Sequence, residues 1–264
     1  MRQMPKIYGD LRKPKRNLSG FLRWIRNLSW TLAGLALVYA VGFSGLFSLN
    51  SVQVEGAAFS SSDQIKGMVP VGRNIWLISK DKLSRQILGQ PSVESVSILR
   101  GIPDSLRLVV HEKQPSLVWI SATTAYVLAP DGTSFATFGK DGLPGADTAV
   151  GKLLAPLARV TDLKAVPTQL GAQVVSPLFI IFLQTSQKEL ASQLPQLTVD
   201  HWEITDTTYD VSLRTKQGLT VRLNSLGDAA SQVRNLSRLL AQGKANPKTS
   251  TVDLRVDRWA YVIP

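Results

Sequence analysis

His111 and His201 are the only imidazoles this chain offers to acid–base or metal chemistry, and it has no cysteine at all. Thiolate nucleophiles, thiolate metal sites and disulfides are therefore excluded. His111-Glu112 opens like the helical motif of a zinc protease. Lys113, Gln114 and Pro115 follow, so proline stands where the second histidine ligand belongs. His201 has Asp200 and Glu203 for neighbours, without a third ligand at metal-binding spacing. The run from Gly145 to Lys152 imitates a phosphate loop. Five residues instead of four separate Gly145 from Gly151, and Leu153 replaces the hydroxyl that would hold magnesium. No Gly-x-Ser-x-Gly elbow is present for a hydrolase. Paired carboxylates remain open, since any two acids can meet in a fold. The residue chemistry points away from an enzyme, with no catalytic residue, cofactor site or metal site and no small-molecule substrate.

The elements that would position these residues begin with an uncharged stretch, residues 27–54. Residues 28–49 within it are dominated by apolar side chains. As a helix of about 22 residues they would reach roughly 33 Å, enough for a hydrocarbon core of about 30 Å. Trp24 and Trp30 suit the headgroup level, Arg23 and Arg26 can snorkel beside them, and Leu35, Leu37, Phe43 and Phe47 supply apolar surface. A single transmembrane helix over 28–49 is the expectation. Residues 1–27 carry eight Lys or Arg against Asp10 alone, +7 of the formal +11. That bias predicts a cytoplasmic basic tail and extracytoplasmic domains after the span. Topology and anionic lipid account for the charge without nucleic acid. A cleaved signal peptide is the competing reading. The run is longer than an h-region of about 7–15 residues, and its small pair, Ala40 with Gly42, falls inside the run.

Beyond the span, Val52 and Val54 alternate with polar neighbours as a strand, and Gly56 breaks it. Ser60, Ser61, Ser62 and Asp63 offer caps for a helix through Ile65 and Met68. Ser79 caps a second, with Leu83, Ile87 and Leu88 on one face. Val96 and Ile98, then Leu106, Leu108 and Val110, alternate on either side of the turn from Gly101 to Asp104. Strand, helix, helix, strand, strand in about 65 residues predicts a three-stranded sheet with two helices on one face. Further on, residues 126–135 read as a hairpin about Asp131-Gly132, and a helix starts at Ser176. Residues 197–204, 209–213 and 219–223 read as strands, with a turn at Lys216, Gln217 and Gly218. Leu226, Ala229, Ala230, Val233, Leu236, Leu239 and Leu240 form a single stripe, the longest helix expected outside the membrane, with Gln232 off the stripe. A last strand covers residues 250–256.

The series VQVEG, GRNIWLIS and PSVESVSILRGIPDSLRLVVHEKQPSLVW resembles the POTRA domain of the bacterial division family FtsQ/DivIB. The hairpin YVLAPDGTSF and the closing Val252-Asp253-Leu254-Arg255 are similar to that family and follow in its order, while residues 145–167 fit poorly and read as an insertion. The expected fold class is α+β: one N-terminal transmembrane helix, a POTRA domain (β-α-α-β-β) over 50–118, and a strand-rich mixed domain over 119–264 with one long C-terminal helix and a terminal strand. The resemblance implies a non-enzymatic, single-pass scaffold at the division septum of the cell membrane that binds FtsB/FtsL-type bitopic proteins and other divisome components. It places partner binding on Val252, Asp253, Leu254 and Arg255. Trp259 and Tyr261 add large amphipathic anchors beside an edge open to strand addition. Two competing readings are a POTRA-bearing factor for envelope assembly or polypeptide transport, and a cell-wall enzyme with an unrecognised active site. No POTRA repeat or barrel pattern supports the first.

Overall fold

The computed structural model describes residues 18–43, 45–248, 250–256 and 259–263. The expected basic tail lies, up to residue 17, outside the described residues. Helix α1 (Leu18–Phe43) corrects the transmembrane expectation. No helix among the described residues is long and apolar enough to cross a membrane. Trp24, Trp30, Leu35 and Leu37 are exposed on α1, but the helix stops at Phe43, six residues before the apolar run ends. From Leu28 to Phe43 it rises only about 24 Å, short of a core of about 30 Å. Residues 45–49 of the run lead into the folded module. Phe47 closes a 3₁₀ turn with its ring 6.3 Å from that of Trp76, and Leu49 is fully buried among the core side chains of that module. Asn74 fixes the end of α1 by donating from Nδ2 to the carbonyls of Val41 and Gly42.

The first module runs β1 (Ser51–Glu55), α2 (Ser62–Gly67), α3 (Lys80–Leu88), β2 (Val93–Gly101) and β3 (Ser105–Glu112). Its sheet has the order β1-β3-β2, with β1 parallel and β2 antiparallel to β3. Ser61 and Ser79 cap the helices, each accepting from the N–H three residues on. Ile65, Leu83 and Ile87 from the helices meet Ile98, Leu106, Leu108 and Val110 from the strands in one core.

The second module is built on one nine-stranded sheet. Its elements are β4 (Leu117–Ser121), β5 (Thr124–Leu128), β6 (Ser134–Gly139), α4 (Ala149–Leu154), β7 (Ala158–Asp162), α5 (Pro177–Gln193), β8 (Val199–Ile204), β9 (Asp210–Thr215), β10 (Thr220–Asn224), α6 (Ala229–Ala241), β11 (Thr251–Asp253) and β12 (Tyr261–Ile263). The spatial order is β12-β11-β10-β9-β8-β7-β4-β5-β6. Helices α5 and α6 cover one face, on which Phe179, Leu183, Trp202, Leu213, Val221 and Leu236 are buried. On the other face of β4 to β6, Val118, Val127 and Phe135 pack with Leu154 of α4. Gly132 turns the β5–β6 hairpin at φ +82°, and a Cβ there would stand 1.9 Å from the Val175 carbonyl oxygen, so only glycine fits.

The segment expected as an insertion is structural. It supplies β7, which lies parallel to both β4 and β8 and joins the two halves of the sheet. The longest helix after α1 is α5, with 17 residues, not the 13-residue α6. Leu226 precedes α6 and is exposed, whereas Gln232 is buried. Gln232 clamps Asn224 through both backbone groups, accepting its N–H and donating to its carbonyl.

Candidate partner interface

The surface best suited to another chain forms where β10, α6 and the last strands meet. Asp228 caps α6 by accepting from Ser231 N–H. The helix then carries the chain back so that β11 lies parallel to β10, in the register Val221 with Val252. Val252 and Leu254 are buried against the α5–α6 side of the sheet, and Leu254 N–H donates to the Arg222 carbonyl at 2.8 Å. Two residues of the expected partner set are therefore core.

Asp253 and Arg255 form a pin. The Arg255 guanidinium bonds both oxygens of Asp253 and crosses to Asp210 on β9. The Arg255 hydrogen bonds hold the Asp253 carboxyl below the ordinary aspartate range, and Asp253 in turn raises the affinity of the guanidinium for its proton. This fixes the chain as it leaves β11. It then returns as β12, antiparallel to β11, with Asp253 opposite Tyr261 and Thr251 opposite Ile263. The expected edge on β11 is thus covered, and the open edge moves to β12.

The two edges of the large sheet differ. At β6, residues 171–173 lie over the strand: Ser134 N–H donates to the Ala172 carbonyl, Gly171 N–H to the Ser134 carbonyl, and Thr133 bridges Gln173. Among the described residues β12 has a neighbour on one side only. Tyr261 and Ile263 are 59% and 61% exposed, and Trp259, just before the strand, is 68% exposed. A cleft of about 720 Å³ opens alongside, between α6 (Ser231, Asn235, Arg238) and the segment carrying Val256, Trp259 and Ala260. An unpaired backbone edge beside exposed aromatics and a polar cleft can take a further strand and anchor its side chains.

The histidines lie elsewhere. His111 is the penultimate residue of β3, exposed, and Glu112 accepts from the backbone N–H groups of Ala58, Phe59 and Ser60. His201 lies between Asp200 and Glu203 on β8, and Glu203 also pairs with Arg214. Burial pushes the Glu203 pKa up, but the hydrogen bonds and charge interactions with Arg214 and His201 together bring it below the ordinary value. Among the described residues no group of three or more His, Asp or Glu side chains could hold a metal ion.

Residues 47–113 match the family described as the POTRA domain, FtsQ-type. The chain is 31% identical over 111 residues to the cell division protein FtsQ of Chloroflexus aurantiacus, and 32% identical over 111 residues to that of Chloroflexus aggregans. The first module is a POTRA domain of the FtsQ type. In each case the match takes in 42% of this chain and 40% of the relative, so it spans about two fifths of those FtsQ chains. The FtsQ-type match begins at Phe47, the residue at which the apolar run turns into the POTRA fold.

Sequence reasoning missed β12 as a separate strand. The signal was Tyr261, Val262 and Ile263, a short run of strand-favouring residues after a break. It also missed Asp210 as the far partner of Arg255, which no sequence spacing announces.

Proposed function

We propose that this protein is a non-enzymatic scaffold of bacterial cell division that works at the septum and binds FtsB/FtsL-type partners through strand addition at β12. The observation that carries the proposal is the open β12 edge, flanked by exposed Trp259 and Tyr261 and held in place by the Asp253–Arg255–Asp210 pin. Backbone pairing supplies affinity in such an arrangement, and the aromatics supply anchors. Val252 and Leu254 act by holding β11 in the core, Asp253 and Arg255 by aligning the return, and Trp259 and Tyr261 by touching the partner.

The test is capture of coexpressed FtsB/FtsL-type ectodomains by the full chain and by a variant lacking residues 261–264. Capture should be lost while the variant keeps its circular dichroism and cooperative unfolding. Undiminished capture by the folded variant overturns the β12 assignment. A fluorescent fusion addresses the division role separately. Enrichment at midcell supports it, and an even peripheral signal favours an envelope-assembly factor.

A further inference from the structure

One end of the POTRA sheet gathers several connections. Strands β1 and β3 start there and β2 finishes there. The 70–78 segment is tied to the same end. Leu49 N–H donates to the Arg73 carbonyl, Gly72 N–H to the Leu49 carbonyl, and the Arg100 guanidinium to the Ile78 carbonyl. Helix α1 finishes here too, held by Asn74.

Large apolar side chains stand in the open at this end. Leu46, Val71 and Leu77 are 69%, 60% and 72% exposed, and Trp76 is 44% exposed. Their neighbours Ile75 and Ile78 on the same segment are buried, so the segment splits its side chains between core and outside. The Trp76 ring lies against Phe47 and 6.0 Å beneath the Arg100 guanidinium. Arg73 and Lys80 add exposed positive charge beside it. Of the nearby acids, Asp104 is engaged by Asn50, and Asp81 sits in the first turn of α3.

Aliphatic side chains around an indole, bordered by guanidinium and ammonium groups, match the chemistry of a headgroup layer. The indole takes the boundary, the aliphatic tips enter the acyl region, and the cations meet lipid phosphate. The geometry points to this end of the POTRA module as a docking surface for an anionic lipid bilayer. This is contact by side chains of the folded module; it asks nothing of α1 and is independent of the partner reading at β12.

Because the chain has no cysteine, one introduced cysteine is a unique labelling point. The full chain is labelled with the environment-sensitive nitrobenzoxadiazole at Leu77→Cys, and separately at Lys188→Cys on α5. Vesicles of phosphatidylcholine, with and without phosphatidylglycerol, are then added. The position-77 emission should rise several-fold and shift to the blue with phosphatidylglycerol vesicles, while position 188 stays at its aqueous level. Arg73→Glu in the position-77 protein should bring that rise back towards the neutral-vesicle level. Both labelled positions are exposed, so neither label disturbs the core. Aqueous emission at position 77 on vesicles that carry the protein in flotation overturns the inference. Equal rises at positions 77 and 188 overturn it as well.

Discussion

Glu112 joins the end of β3 to the loop between β1 and α2, and removing its carboxylate should loosen that loop. Its two oxygens accept N–H bonds from Ala58, Phe59 and Ser60 at 2.7, 2.8 and 2.7 Å. The loop carries Phe59 onto the second module, where its ring meets that of buried Phe135 edge to face at 5.1 Å. A hydrogen bond to a charged group contributes about 1.5–3 kcal/mol. Ala58 is exposed, and its N–H turns to water in Glu112→Ala. The two part-buried donors then set the loss, about 3 kcal/mol at the lower end of that range. For a chain of this size that lowers the melting midpoint by about 6–12 °C. Glu112→Gln keeps one carbonyl oxygen but loses the charge, so it should fall between wild type and alanine. Thermal unfolding gives the midpoint, and amide hydrogen exchange at Phe59 and Ser60 gives the local effect. An unmoved midpoint with unchanged exchange at both amides would refute the reasoning.

Phe59→Ala should cost about 2 kcal/mol, less than a fully buried phenylalanine because its ring is only partly enclosed, as read from urea unfolding. Gly132→Ala should cost about 2 kcal/mol or more, through the strained φ and the approach to the Val175 carbonyl, measured in the same way. Arg255→Ala should cost about 1 kcal/mol, since the pin is partly exposed to solvent. That cost has a pH dependence of known sign. Folding lowers the Asp253 pKa, so its contribution is complete above the unfolded value of about 3.9 and disappears as pH falls through the lower folded value. Wild type and Arg255→Ala should accordingly converge in acid and separate above that range in a pH series of unfolding curves. Trp259→Ala should leave the melting midpoint unchanged and weaken partner capture, because the ring is exposed.

Alternation and capping made the first module legible. The strands about Val96 and Leu108 and the caps at Ser61 and Ser79 depend on neighbours within a few residues, and the structure has them there. The α6 stripe and the β9–β10 turn were readable for the same reason. Hydropathy could not separate a bilayer from a protein interior as the surroundings of Leu49, since both reward the same apolar side chain. Strand β7 is short and set among glycines and prolines. What makes it a central strand is its pairing with β4 and β8, which lie far away in sequence. In the interface, the Asp253-Arg255 pair is visible locally. Gln232 as a clamp, Asp210 as a partner and β12 as the true edge all come from tertiary contact.

Strand β7 has a mechanical consequence. With it in place, hydrogen-bonded ladders run unbroken sideways from β12 to β4, and β4 follows β3 by a short connection beside Glu112. A pull along the last strand would load its three-residue ladder with β11 first, and the five-residue β9–β10 ladder only behind it.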